Sequence, residues 1–173
     1  MARSSLIEFQ GRLASRLQAA QQAQTESRWL AVVAGSQRIL LPLSQSGEIS
    51  AYEAPAGLPH AQPWFIGLVN LRGVLCGVVD LAAFLGARQP GTARTGPQSR
   101  LVQFSPRLEI NAVLLVDQLA GLRTAGQFVV DEDAPPAPEP WLGLGLRDTA
   151  GLSWRELNLA ALADDPRFLA PVV

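Results

Sequence analysis

Lysine is missing from this chain of 173 residues; all fourteen of its basic residues are arginine. Schiff-base chemistry and a phosphate-binding P-loop lysine are therefore excluded. Cysteine and histidine occur once each, as Cys76 and His60. One of each forms neither an internal disulfide nor a Cys/His zinc site, and neither a metal nor a cofactor is expected. No uninterrupted apolar run approaches the roughly 20 residues of a membrane span, because Asn70, Arg72 and Asp80 cut the longest ones. The first residues lack the pattern of a signal peptide. A soluble, cytoplasmic chain without membrane insertion is the expectation. The net charge of −1 provides no basic field for a phosphate backbone, so nucleic acid is not an expected partner.

What the chain does have is apolar sequence: 48% of its residues are hydrophobic against 17% charged. A chain of this size buries roughly 70% of its unfolded surface and needs no staple. The densest stretch is Trp64 to Gly86, WFIGLVNLRGVLCGVVDLAAFLG. The runs Phe65–Leu71 and Val74–Val79 flank Arg72-Gly73, a two-residue loop whose Gly accepts the positive φ of a tight hairpin. Both runs are nearly continuous, which predicts a hairpin largely covered on both faces. Asp80 then precedes Leu81-Ala82-Ala83-Phe84-Leu85 and Gly86, the pattern of a short helix with an Asp N-cap and a Gly stop.

Before that unit, residues 4 to 24 read as a helix. Ser5 and Glu8 have capping-box spacing, and Leu6, Phe9, Leu13, Leu17 and Ala20 share a face. Short strands follow at Trp29–Ala34, Arg38–Leu43 and Glu48–Tyr52, parted by turn-like Gly35-Ser36-Gln37 and Ser44-Gln45-Ser46-Gly47. A Pro-containing connection, Glu53–Pro63, leads into the hairpin. After it, Ala87–Arg100 reads as a polar, solvated loop. Strand pattern resumes at Leu101–Phe104, Ile110–Val116 and Gln127–Val130, with Asp117 as a strand-end turn former. The acidic, Pro-rich Asp131–Pro140 reads as a solvated loop, because proline excludes it from helix and strand interiors. Trp141–Leu146, with Gly143 and Gly145, and Leu152–Leu162 complete the chain. About ten short strands with frequent turns predict an all-β sandwich or barrel.

Gly67-x-x-Asn70-Leu71-Arg72-Gly73 followed by Val78-Val79-Asp80-Leu81, and later Val113-Leu114-Leu115-Val116-Asp117-x-Leu119, resemble the signature of CheW-like domains. These are adaptors that couple chemoreceptors to a histidine kinase. The resemblance covers residues 28 to 163, matching Trp141–Leu146 to a short strand and Leu152–Leu162 to a closing strand and helix. It implies two small five-stranded, SH3-like β-barrel subdomains that share an apolar interface. An N-terminal helical extension (1–27) would precede them, and a tail (164–173) would follow the short C-terminal helix. It further implies two partners, the cytoplasmic tip of a methyl-accepting chemoreceptor and the regulatory domain of a CheA-like histidine kinase, with recruitment to membrane receptor arrays. The family's receptor-facing surface maps onto Gly67, Asn70, Arg72 and Gly73; no residue is assigned to the kinase. The added helix and long loops point to the twitching-motility, type IV pilus branch. Two positions depart from the family pattern. Gly77 stands where proline is usual, which implies a looser second strand, and Asn158 stands where aspartate is common.

Other readings of the residues exist. Asp80 is better placed as a cap than as a catalytic acid, with no second carboxylate nearby in sequence, so no catalytic set is expected. A Cys76–His60 pair would make the protein an all-β hydrolase. A small apolar ligand held between the subdomains is a third reading. Among the four tryptophans, Trp64 at the mouth of the hairpin is the candidate for a partner surface.

Overall fold

The computed structural model describes residues 11, 12, 14–16, 18, 27–89, 91, 92 and 95–172. The helix expected over 4–24 therefore falls mostly outside the described residues; those described within it are helical. The eleven strands among the described residues are β1 (Ser27–Ala34), β2 (Gln37–Pro42), β3 (Ser46–Ala51), β4 (Phe65–Leu71), β5 (Val74–Asp80), β6 (Arg100–Phe104), β7 (Ala112–Val116), β8 (Gln118–Thr124), β9 (Phe128–Val130), β10 (Leu142–Asp148) and β11 (Ser153–Leu157). Two short helices, α1 (Leu81–Phe84) and α2 (Leu159–Ala163), follow β5 and β11.

These strands form two sheets. The first runs β8-β1-β2-β11-β10-β9 and the second β3-β6-β7-β5-β4. The second sheet is one continuous length of chain, whereas both ends of the chain build the first, joined through the antiparallel β1–β8 pair and the parallel β2–β11 pair. Two β subdomains are as expected, with six strands in one of them. The added strand is β8, which follows Asp117 where only a turn was anticipated. Its apolar alternation is broken at Gly121, which has a φ of +93° beside a register shift against β1.

The nearly continuous apolar runs have a direct cause, because successive side chains point to opposite faces of a strand. In β7, Leu114 and Val116 enter a core shared by both sheets, while Val113 and Leu115 enter a second cluster with Val69, Leu71, Cys76, Val78 and Leu101. In the first sheet, Leu30, Val32, Ile39 and Leu41 face the shared core. Ala31 and Leu40 face the other way, against Trp29 and Trp154. Each such side chain contributes about 1.5–3 kcal/mol when fully buried.

Aromatic rings fill the seam between the sheets. Phe84 on α1 lies 5.0 Å from Trp64, 5.4 Å from Trp141 and 5.5 Å from Phe168, centroid to centroid. Trp64 also stacks on Phe168 at 6.1 Å. It is thus a half-buried member of the seam. The indole N–H of Trp141 donates to Asp165 Oδ2 at 3.0 Å, so this buried ring keeps its polar group satisfied.

Both helices start as their sequences dictate. Asp80 Oδ1 accepts from the Ala83 N–H at 3.3 Å, and Gly86, at φ +71°, ends the turn. Asn158 caps α2, accepting from the Ala161 N–H at 3.1 Å. The amide in place of the family's usual aspartate thus keeps the capping oxygen. Gln45 joins it, donating to Asn158 Oδ1 and accepting from the Leu159 N–H at 2.7 Å.

Candidate functional site

The β4–β5 hairpin closes at the Leu71–Val74 pair, leaving Arg72 and Gly73 as its two-residue loop. Their φ values are +51° and +86°. Positive φ at both central positions is the requirement of a type I′ turn, whose twist matches that of the strands it joins. Arginine has no intrinsic preference for that region. Asn70 supports the turn, its Oδ1 accepting the Gly73 N–H at 2.8 Å.

The turn presents Arg72 to solvent with 82% of its side chain exposed. Arg72 Nη2 lies 2.8 Å from Glu48 Oε1 on β3. Glu48, Ser50, Glu53, Asn70, Leu71 and Gln103 line a shallow recess of about 200 Å³ beside the guanidinium. Val74 and Leu75, next along the hairpin, are 46% and 58% exposed. The expectation that both faces of the hairpin are covered thus holds along the strands and fails at the tip. There a cation stands beside two bare apolar side chains, a combination suited to a partner that offers both a carboxylate and an apolar ridge.

Of the four residues assigned to the receptor surface, Asn70, Arg72 and Gly73 are exposed together at the tip. Gly67 sits apart from them, buried beneath the loop that leads into β4. Ala56 and Leu68 exchange two backbone hydrogen bonds there, each 2.8 Å. A Cβ on Gly67, at φ +139°, would stand 2.2 Å from the Ala56 carbonyl oxygen. Gly67 therefore lets the loop close on β4 and shapes the surface from below. Gly77 has an equally local reason. Its N–H donates to the Asn111 carbonyl at 2.9 Å, a bond that proline lacks, and the Phe65 ring fills the space a side chain would take. The expected looseness of this strand is offset by that packing.

Glu48 is the residue that the sequence did not bring forward, since nothing in its own strand pattern links it to a turn 24 positions on. The remaining candidates settle elsewhere. Cys76 is buried in the second apolar cluster, where burial pushes its thiol pKa up, and its hydrogen bond goes to the Val74 carbonyl. His60 is exposed on the preceding loop. A thiol held protonated in a packed core is a poor nucleophile. The shared seam, where a small ligand was considered, is occupied by the aromatic rings described above. A recess of about 530 Å³ lies instead against the Pro-rich loop, lined by Arg38, Asp131, Asp133, Arg147 and Arg155 among others.

That loop is not simply solvated, as had been expected. Asp131 lies 95% buried at its side chain, accepting from Arg147 Nη2 at 2.7 Å and from Ser153 Oγ at 3.1 Å. The hydrogen bond from Arg147 is the main reason its pKa falls below the usual carboxylate range. For Asp148, burial pushes the pKa up. The Leu152 and Ala150 N–H groups and the Trp154 indole outweigh it, so the net shift is down.

Among the described residues, no group of three or more His, Cys, Asp or Glu side chains is placed to hold a metal ion, and no helix is long and apolar enough to cross a membrane. Residues 28–165 match the family model of the CheW-like domain. Over 162 residues the chain is 28% identical to Protein PilI of Pseudomonas aeruginosa, covering 91% of this chain and 87% of that one. It is 30% identical over 106 residues to a probable chemotaxis protein CheW of Rhizobium etli, covering 61% and 63% of the two chains. The crystal structure of the scaffolding protein TtCheW from Thermoanaerobacter tengcongensis superposes with a TM-score of 0.58 at 14% identity, covering 76% of this chain and 88% of that one. Two β subdomains around a shared seam, a hairpin tipped by Arg72-Gly73 and a family match over most of the chain lead to one conclusion: this protein belongs to the CheW-like domain family.

Proposed function

We propose that the protein is a non-enzymatic adaptor that couples the cytoplasmic tip of a chemoreceptor to a CheA-like histidine kinase, in the signalling pathway of type IV pilus twitching motility. The observation that carries this reading is the hairpin tip. A turn with positive φ at both loop residues holds a solvent-exposed guanidinium beside Glu48, in the same tip as exposed Val74 and Leu75. Similarity to PilI across 91% of the chain favours the pilus branch. Burial of Cys76, which pushes its thiol pKa up, supports the non-enzymatic reading.

In this reading Arg72 forks onto a carboxylate or exposed carbonyls of the receptor's helical hairpin. Asn70 and Gly73 hold the turn that aims it, and Gly67 seats the loop beneath. The kinase's regulatory domain binds a separate face, so both partners can be held at once. The adaptor works in the cytoplasm, recruited to membrane receptor arrays, with residues 28–163 as the binding domain between an N-terminal helical extension (1–27) and a short tail (164–173).

Reconstitution tests this. The protein, the receptor tip and the kinase regulatory domain are mixed and resolved by size-exclusion chromatography with light scattering. A complex containing all three, whose kinase component fails to join the receptor when the adaptor is left out, is the expected result. Binding to neither partner would overturn the proposal.

A further inference from the structure

Four segments of chain meet where the two sheets join: the Gly35 turn between β1 and β2, the β5–α1 corner at Asp80, residues 87–88 beyond α1, and Asp117 between β7 and β8. Asp117 is the point at which the chain leaves the second sheet for the first. Its N–H donates to the Val33 carbonyl at 2.9 Å, and its Oδ2 accepts from the Gly35 N–H at 2.7 Å. The same oxygen is paired with Arg88 Nη2. On the other side, Arg88 Nη1 stands 3.6 Å from Asp80 Oδ2. The Arg88 side chain is 13% exposed and that of Asp80 2%. The polar, solvated loop expected from Ala87 onward thus starts by burying a guanidinium between two carboxylates.

This cluster has features that stability alone does not explain. Asp80 Oδ2 and Arg88 Nη1 are both buried without a hydrogen-bond partner, and a buried polar group left so is costly. Apolar side chains of similar volume would serve stability as well or better. The shared core is built from non-directional contacts, which supply most of the attraction between the sheets. A planar guanidinium with a fixed fork is directional. Contact here is also close. A Cβ on Gly35 would come within 2.8 Å of the Ala87 carbonyl oxygen and 3.2 Å of the Ala82 Cβ, so a small rotation of one sheet alters these contacts at once.

We infer that Arg88 is a positioning residue: by pairing with Asp80 on the second sheet and Asp117 at the crossover into the first, it sets the relative orientation of the two sheets. Because β5 runs from the Arg72 turn to Asp80, the same cluster fixes the angle at which the hairpin is presented relative to the first sheet. The inference does not depend on what the hairpin binds.

The test neutralises the cluster in the full chain with the triple variant D80N/R88M/D117N. An amide at each carboxylate position still offers an oxygen to the Ala83 and Gly35 N–H groups, so the helix cap and the turn contact are kept. Amide residual dipolar couplings are then measured for both sheets, with thermal melting alongside. In the natural protein, couplings from both sheets fit one alignment tensor in the described orientation. In the variant, both sheets keep dispersed amide signals and melting stays within a few degrees, while the couplings require a different inter-sheet orientation or two separate tensors. A single tensor with unchanged orientation would overturn the inference. If the triple variant does not fold, Arg88→Lys decides by the same couplings, because an ammonium meets the carboxylates as a point charge without the guanidinium's rigid planar fork. A changed fit supports the positioning role and an unchanged fit overturns it. Loss of folding in both variants also overturns it, assigning the cluster to stability alone.

Discussion

The segment from Arg72 through β5 and α1 to Arg88 carries an arginine beside carboxylates at each end, in opposite surroundings. Arg72 stands in water, 82% exposed, with one partner, Glu48, itself 40% exposed. Arg88 is 13% exposed, wedged between Asp80 and Asp117. An exposed ion pair contributes about 0–1 kcal/mol, because water screens it and two long side chains must be held still. Removing the arginine leaves Asp80 charged and buried without a cation, at about 3–5 kcal/mol for a fully buried pair, while Asp117, 27% exposed, keeps some solvent. The same residue type therefore has separable roles: at the tip it is free to exchange partners, and at the corner it is locked into the fold.

Changing either arginine alone tests that difference, and the largest effect belongs at the corner. Arg88→Met, with Asp80 and Asp117 left in place, should lower unfolding stability by about 3–5 kcal/mol in denaturant titrations. The triple variant, which removes the carboxylate charges too, should recover most of that loss. If the single and triple variants lose equally, the cost lies in lost packing and the corner is not electrostatic.

Gly67 comes next. Gly67→Ala forces a Cβ against the Ala56 carbonyl oxygen at a φ that L residues rarely adopt. A loss of about 1–3 kcal/mol is expected, with faster amide exchange confined to the loop before β4. A loss spread evenly over both sheets would contradict the local role given to Gly67.

A smaller effect is expected from acid. Asp131 and Asp148 both have folded-state pKa values below normal. The unfolded chain then binds more protons than the folded one as pH falls below the unfolded value of about 3.9. Their contribution is thus complete above that pH and is lost as pH falls through the folded values. Asp131→Asn should lower stability near neutrality, where the contribution is complete, and converge with the natural protein at low pH, which flattens the acid limb of a stability–pH curve. An unchanged acid limb would show that the Arg147 pair does not hold the loop.

The smallest stability effect belongs to the exposed end. Arg72→Ala should shift unfolding stability by no more than about 0.5 kcal/mol. A larger shift would mean that the tip, like the corner, is part of the folded framework.

The two ends also differ in how far they could be read from sequence. Arg72-Gly73 between two apolar runs announces its turn, and Asp80 with Gly86 announces a capped helix, because each device is complete within a few residues. The pairings of those residues are not local. Glu48 is 24 positions from Arg72, and Asp117 is 29 positions from Arg88. Arg88 itself lies in a polar stretch rich in Gly and Pro that reads as solvated until the fold brings Asp117 to it. β8 was hidden because Gly121 breaks its alternation, and Trp64 because a tryptophan beside a hairpin reads equally as core or surface. Period-two packing on both faces made the strands of the second sheet legible, since a doubly covered strand needs an apolar run. The proposed receptor surface was named through resemblance to the family at Gly67, Asn70, Arg72 and Gly73. The exposure of Val74 and Leu75 beside it was concealed by the apolar run in which they stand.

The most direct measurement is calorimetric titration of the receptor's cytoplasmic tip into the natural protein and into Arg72→Ala under identical salt. Saturable binding by the natural protein, weakened at least about fivefold in the variant (about 1 kcal/mol) while both melt alike, is the predicted result. Equal affinity for both would contradict the central claim, leaving Arg72 as a solvated turn residue and moving the receptor surface elsewhere on the fold.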